Sequence, residues 1–127
     1  MSDTTTRGIR VQVRTAYVPE RSSPRDNHYF FSYTVTISNE GQQSAQLVSR
    51  KWIISNAEGE VERVEGLGVV GEQPLLAPGS AFEYTSFCPL QTPFGSMRGS
   101  YLMVLDGGDS FEAEIAPFPL AVPAALN

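Results

Sequence analysis

The string most suggestive of chemistry is Gly66-Leu67-Gly68-Val69-Val70-Gly71, a match to G-x-G-x-x-G. In a dinucleotide-binding fold such glycines follow a strand and open a helix, whose N-terminal N–H groups face a pyrophosphate. Here Glu72-Gln73-Pro74 comes next, then Pro78-Gly79. No helix starts well on those residues, and the Glu72 carboxylate would stand beside the phosphate. The glycines are better explained as positions that permit positive φ in a bulge or tight loop. Other candidates are sparser. His28 is the single histidine and Cys88 the single cysteine, far apart in the chain, so neither a zinc ligand spacing nor an activated nucleophile is formed. Cys88 lies in Ser86-Phe87-Cys88-Pro89-Leu90 without a neighbouring cation, which predicts a buried, inert thiol. Asp106-Gly107-Gly108-Asp109 is turn chemistry before it is a cation site. Glu62, Glu65 and Glu72 have nothing in their sequence setting that predicts burial. No catalytic set, metal site or cofactor is expected.

Arg50 and Trp52 form a second candidate. Two residues apart on a strand, they share a face. A core tryptophan beside an arginine that lays its stem across the sheet is the preferred reading. The alternative is an Arg–Trp surface anchor for a partner, since both types are favoured at interface hot spots.

The elements that must position these residues are strands. Ile9, Val11 and Val13 alternate with Arg10, Gln12 and Arg14. Phe31, Tyr33, Val35 and Ile37 alternate with Ser32, Thr34, Thr36 and Ser38. A third strand runs from about Ala45 to Ser55, with its alternation upset at Arg50. Further strands are expected at Val61–Val64, Ser80–Phe87, Ser96–Leu105 and Ser110–Ile115. Residues 66–79, rich in Gly and Pro, cannot be a central strand. Strands of this length, separated by turn signals and without helical spacing, predict an all-β sandwich of about seven strands in two antiparallel sheets. Phe31, Trp52, Phe82, Tyr101 and Phe111 are its expected filling. Residues 1–7 are expected to be a flexible N-terminus, 8–118 the domain, and 119–127 an extended or frayed tail.

Composition bounds the partners. The 127 residues suffice for one domain with a real core. A net charge of −5 argues against a nucleic-acid groove. Arg7, Arg10, Arg14, Arg21 and Arg25 crowd the first quarter, and are read as solvated strand faces rather than as an anion site. No apolar run is long enough to span a bilayer, the N-terminus lacks an apolar leader segment, and the lone cysteine suits a reducing compartment, so a cytoplasmic location is expected.

Taken together, Val64–Pro74, Leu76-Ala77-Pro78-Gly79, Phe82–Ser86, Leu90–Tyr101 and Ser49-Arg50-Lys51-Trp52-Ile53-Ile54 resemble the ApaG family, with similarity running from about Ile9 to Phe118. One departure is Ser55-Asn56, where an acidic turn often stands. The resemblance implies an immunoglobulin-like sandwich of the fibronectin type III kind. It also implies a stand-alone bacterial domain, often encoded beside a diadenosine tetraphosphatase and a ribosomal RNA methyltransferase, whose customary label concerns cobalt resistance and magnesium efflux. Similar domains in eukaryotic F-box proteins and a polymerase-interacting protein look like protein-recognition modules. The expected function is therefore a non-enzymatic binding module for a protein partner. Its candidate surface is Gly66, Gly68, Gly71, Glu72, Gln73 and Pro74, with Arg50 and Trp52. The alternatives are nucleotide or pyrophosphate binding at Gly66–Gly71 and a divalent-cation-responsive regulator. A homodimer through an exposed edge strand is a further expectation.

Overall fold

The computed structural model describes residues 1–123. Among the described residues nine strands form two antiparallel sheets packed as a sandwich. They are β1 (Ser2–Thr6), β2 (Ile9–Tyr17), β3 (Tyr29–Asn39), β4 (Ala45–Asn56), β5 (Val61–Leu67), β6 (Leu75–Leu76), β7 (Ala81–Leu90), β8 (Phe94–Leu105) and β9 (Ser110–Ala121). One sheet has the order β1-β2-β3-β7; the other runs β5-β4-β8-β9, with β6 paired to one end of β4. Two short 3₁₀ turns, Pro19–Arg21 and Pro24–Asp26, fill the loop before β3. Among the described residues no helix is long and apolar enough to cross a membrane.

The core is made by alternation on both sheets. Ile9, Val11, Val13, Phe31, Val35 and Ile37 of the first sheet are fully buried against Leu47, Tyr101, Met103, Ile115 and Phe118 of the second. Trp52 stands at its centre, edge-on to Tyr33, Tyr101 and Phe118. Such pairs add to what burial of the rings already contributes. Of the expected filling, Phe31, Trp52 and Tyr101 are buried, while Phe82 and Phe111 pack half-buried at its margin.

Three boundaries differ from expectation. Residues 2–6, expected as part of the N-terminal segment, form β1, in register with Ile9–Val13. A two-residue turn, Arg7-Gly8, makes the hairpin, both residues having positive φ. Arg10 clamps Asp3 through two bonds, Nε to Oδ1 at 2.9 Å and Nη2 to Oδ2 at 2.6 Å. The Arg10 guanidinium holds the Asp3 carboxyl below its ordinary range. Second, the last strand continues to Ala121, through Pro117 and Pro119. Both prolines are tolerated because β9 is an edge strand. Of the tail expected to be extended or frayed, 119–121 belong to β9, and 124–127 lie outside the described residues. Third, the described residues form nine strands, because β1 has no apolar alternation to announce it and β6 is only two residues long.

Two β-bulges set which side chains face inward. In β4 the register shifts between Leu47 and Ser49. Ala45 and Leu47 are buried before it; after it the buried tryptophan stands at an even number, Trp52. The second bulge lies opposite Met97 and Gly99, where Phe118 and Ile115 are their partners. It moves the inward parity of β9 from Ala113 and Ile115 to Phe118 and Leu120.

The two long sides of the sandwich are unlike. On one side β9 packs against β1 and β2. There the Glu114 N–H donates to Thr6 Oγ1, and the Arg7 guanidinium lies 4.8 Å from the Phe111 ring centre. On the other side β5 and β7 are the sheet edges and are not paired to each other.

Candidate functional site: the glycine loop and the inter-sheet cleft

Each glycine of Gly66–Gly71 has a structural duty. Gly66, in β5, leaves room for the Arg50 guanidinium: a Cβ there would meet Nη1 and Nη2 at 2.9 Å. Gly68 has φ +63, and a Cβ would fall 2.3 Å from the Glu72 carbonyl oxygen. Gly71, at φ +81, is the second central residue of a two-residue turn whose first is Val70, at φ 44. Val69 and Glu72 close the turn by exchanging both backbone bonds, at 2.8 and 2.9 Å.

The loop is tied to the β4 bulge. The carbonyl of Val48 accepts from Gly68 N–H at 2.8 Å and from Gln73 Nε2 at 2.9 Å. Leu47 N–H donates to the Pro74 carbonyl. Arg50 Nη1 donates to the carbonyls of Leu67 and Gly68, at 3.0 and 2.9 Å. Buried Asn39, which no sequence motif singles out, holds the far end by donating Nδ2 to the carbonyls of Gln43 and Leu76. A side-chain amide closing an apolar strand, ahead of a Gly/Pro loop that needs partners for its carbonyls, is the signal that could have found it. The N–H groups of Gly68, Val69 and Glu72 are thus engaged within the protein. These three are not free to cradle a phosphate.

The three glycines should differ in how much a methyl group costs. Gly68→Ala should cost most, about 2–4 kcal/mol, because backbone blocks the Cβ and φ is positive. Gly71→Ala, with open space around it, should cost only the left-handed penalty of about 1–2 kcal/mol. Gly66→Ala meets a displaceable arginine head and should fall below about 1.5 kcal/mol. Urea midpoints of the three variants give the order directly.

Arg50 and Trp52 are brought together, though not on the outer surface. The register shift at Val48 turns both inward, and Trp52 is 2% exposed. The outward Arg–Trp anchor is therefore replaced by an inward pair. Both line a cleft of about 900 Å³ between the unpaired edges β5 and β7. Tyr33, Val64, Ser86 and Cys88 complete its walls. Cys88 is buried and free, as expected. Burial, with a smaller contribution from the Glu62 carboxylate, pushes its thiol up to about 12. Burial likewise raises the phenols of Tyr33, Tyr84 and Tyr101. The Tyr84 and Tyr101 hydroxyls are hydrogen-bonded to each other.

The early arginines are dispersed, not gathered. Arg10 pairs with Asp3 and Glu40, Arg14 lies 3.6 Å from Glu83, and Arg21 covers the stacked rings of Phe30 and Phe87. Among the described residues no group of three or more His, Cys, Asp or Glu is placed to hold a metal ion. Among the described residues the exposed large apolar side chains include Leu67 (75%), Val70 (55%) and Leu75 (68%) on the glycine loop and its exit, and Met1, Val61, Phe87 and Phe94 elsewhere.

Comparison with known proteins agrees over the whole length. Residues 19–105 match the family described as the ApaG domain. The chain is similar to "Protein ApaG" of Anaeromyxobacter sp. (strain K), 61% identical over 127 residues and covering both chains fully. It is 53% identical to "Protein ApaG" of Dechloromonas aromatica, again with full coverage of both. The crystal structure titled the putative ApaA protein from Bordetella pertussis superposes with a TM-score of 0.89 at 56% identity, covering 91% of this chain and 94% of that one.

Proposed function

The chain belongs to the ApaG family, and from that premise we propose that it is a non-enzymatic protein-recognition module of the cytoplasm, whose contact surface is the rim of the glycine loop. The observation that carries this reading is Val70. A β-branched residue with positive φ is a genuine outlier, and such strain, of order 1–3 kcal/mol, persists where surroundings over-determine it and often where a site needs it. Asparagine or glycine would occupy the same turn without that strain. Instead the turn presents an exposed valine, flanked by exposed Leu67 and Leu75. Bonds from Arg50, Gln73 and Asn39 hold the loop behind them, so little ordering entropy opposes binding.

Val70→Asn separates strain from contact. It should raise the urea-derived stability by about 1 kcal/mol, because asparagine tolerates the left-handed region. It should also weaken retention of a lysate protein by the immobilised chain. Leu67→Asp should weaken the same retained species while the thermal midpoint stays near the wild-type value. A partner held equally by all three proteins would remove the loop rim as the contact surface.

A further inference from the structure

Four strands lie at the sheet ends, β1 and β7 in one sheet, β5 and β9 in the other. The outer N–H and C=O groups of such a strand are a template for another chain, and native edges are commonly blunted by cover, proline or lysine. β1 and β9 lie side by side, tied by the Glu114 N–H bond to Thr6 Oγ1. β9 also carries Pro117 and Pro119, and β7 carries Pro89. β5 reads Val61-Glu62-Arg63-Val64-Glu65-Gly66-Leu67, with no proline and no lysine. Among the described residues its strand partner is β4 alone. Five of its seven residues are exposed, Val61 and Leu67 among them.

The pairing with β4 fixes which backbone groups of β5 stay open. At the two ends of that ladder Asn56 N–H donates to the Glu60 carbonyl and Gly68 N–H to the Val48 carbonyl. Bonded pairs alternate in an antiparallel ladder, so the even-numbered residues bond β4. The N–H and C=O groups of Val61, Arg63, Glu65 and Leu67 point the other way. Arg50 Nη1 takes up one lone pair of the Leu67 carbonyl and leaves the second. The side chains of the same four residues share the outer face of the sheet. Arg63 is in none of the ion pairs among the described residues, and Glu65 meets only Lys51, at 3.9 Å.

A second copy of β5 can bond this edge about a two-fold axis in few registers. Centred on Arg63, the pair sets Arg63 against itself. Centred on Glu65, it sets Glu65 against itself. Like charges directly opposite are destabilising. Centred on Glu62 or Gly66, the overlap shrinks to a few residues. Centred on Val64, every pair is favourable: Arg63 faces Glu65 twice, exposed Val61 faces exposed Leu67 twice, and the two Val64 side chains meet on the axis. All the bonded pairs then fall on the odd positions, the ones whose groups are open, and give about eight backbone hydrogen bonds.

We infer that β5 is a self-recognition edge, on which a second copy of this chain adds its own β5, antiparallel and two-fold about Val64. The occupant is a second copy because the strand is complementary to itself in charge and in apolar contact. An unrelated strand would need the same alternation of valine, arginine, glutamate and leucine in reverse order.

One strand pair makes an interface at the small, transient end of the range, so sedimentation of the full chain between about 10 μM and 1 mM should show a monomer–dimer equilibrium with Kd on the order of 0.1 mM. Arg63→Glu alone, or Glu65→Arg alone, sets like charges opposite each other at both cross-strand pairs and should weaken the dimer about tenfold. An equal mixture of the two variants restores opposite charges at both pairs and should associate about as well as the wild-type chain. Both positions are exposed, so the thermal midpoints of the variants should stay near the wild-type value. Hydrogen exchange checks the register: the Arg63 and Glu65 amides should slow as concentration rises, while Val64, already bonded to β4, should not. A chain that is monomeric at 1 mM overturns the inference. So does a dimer indifferent to both single variants, or a mixture that associates no better than its components. Leu67 is left unchanged throughout, so the loop-rim reading and this one fail separately.

Discussion

Gly99→Ala is expected to leave little or no folded protein. Gly99 lies in β8 directly opposite Trp52 of β4, at the β8–β9 bulge. A Cβ on Gly99 would sit 1.9 Å from the Lys51 carbonyl oxygen and 3.2 Å from the Trp52 Cα. Every one of those atoms is backbone, so no side-chain rotation relieves the clash. Relief requires β4 and β8 to separate where the sheet carries its tryptophan. The cost should exceed about 4 kcal/mol, a large part of the roughly 5–15 kcal/mol that stabilises a domain. Gly107→Ala is the matching control: nothing lies within 4 Å of its added Cβ, and its urea midpoint should hardly move. A Gly99→Ala protein with near-native circular dichroism and a stability loss under about 1 kcal/mol would mean that β4 and β8 are not in this register.

A steep loss of stability on the alkaline side is the second expected result. Four buried acids have folded-state pKa values above their ordinary ones: Cys88, raised from 9.0 to about 12, and Tyr33, Tyr84 and Tyr101, raised from 10.0. Burial is the first cause for each. Between the ordinary value and the raised one, the native state holds a proton that the unfolded chain has released. Stability therefore falls as pH rises, by up to about 1.4 kcal/mol per pH unit for each such group. Their contribution is intact below pH 9, declines first through Cys88, and declines faster above pH 10 as the three phenols join. Urea midpoints at successive pH values from 7 to 11 should be level and then drop with increasing slope. Cys88→Ala should delay the onset toward pH 10. A flat midpoint up to pH 11 would place these groups in water. The same burial predicts that native Cys88 resists thiol reagents at pH 8 and reacts on unfolding in urea.

The turn-punctuated alternation of β2 and β3 is local, so it is legible directly in the sequence. The all-β class and the burial of Cys88 are legible from neighbouring residues. So is the failure of Gly66–Gly71 as a dinucleotide motif, because the motif depends on a helix opening at once, and Glu72, Pro74 and Gly79 start none. β1 is not legible, because Ser2-Asp3-Thr4-Thr5-Thr6 has no apolar alternation; its strand character rests on β-branched threonines and on the Arg10–Asp3 clamp. The extension of β9 is hidden because its bulge reverses parity before Phe118, which makes a continuous strand look irregular.

The same effect decided the candidate site. An imperfect alternation at Arg50 is visible in the sequence, yet its cause lies in the partner strand: β8 pairs Met103 with Leu47 and Leu102 with Ser49, leaving Val48 as the extra residue. Residue types determined a β-sandwich with a glycine loop and a neighbouring Arg–Trp pair. Only the tertiary structure decided that this pair points between the sheets, that Val48 and Arg50 anchor the loop, and that β5 and β7 stand apart enough to leave a cleft. The reason is physical. A strand's alternation is set one residue at a time, but its phase after a bulge depends on hydrogen bonds to another strand far away in sequence.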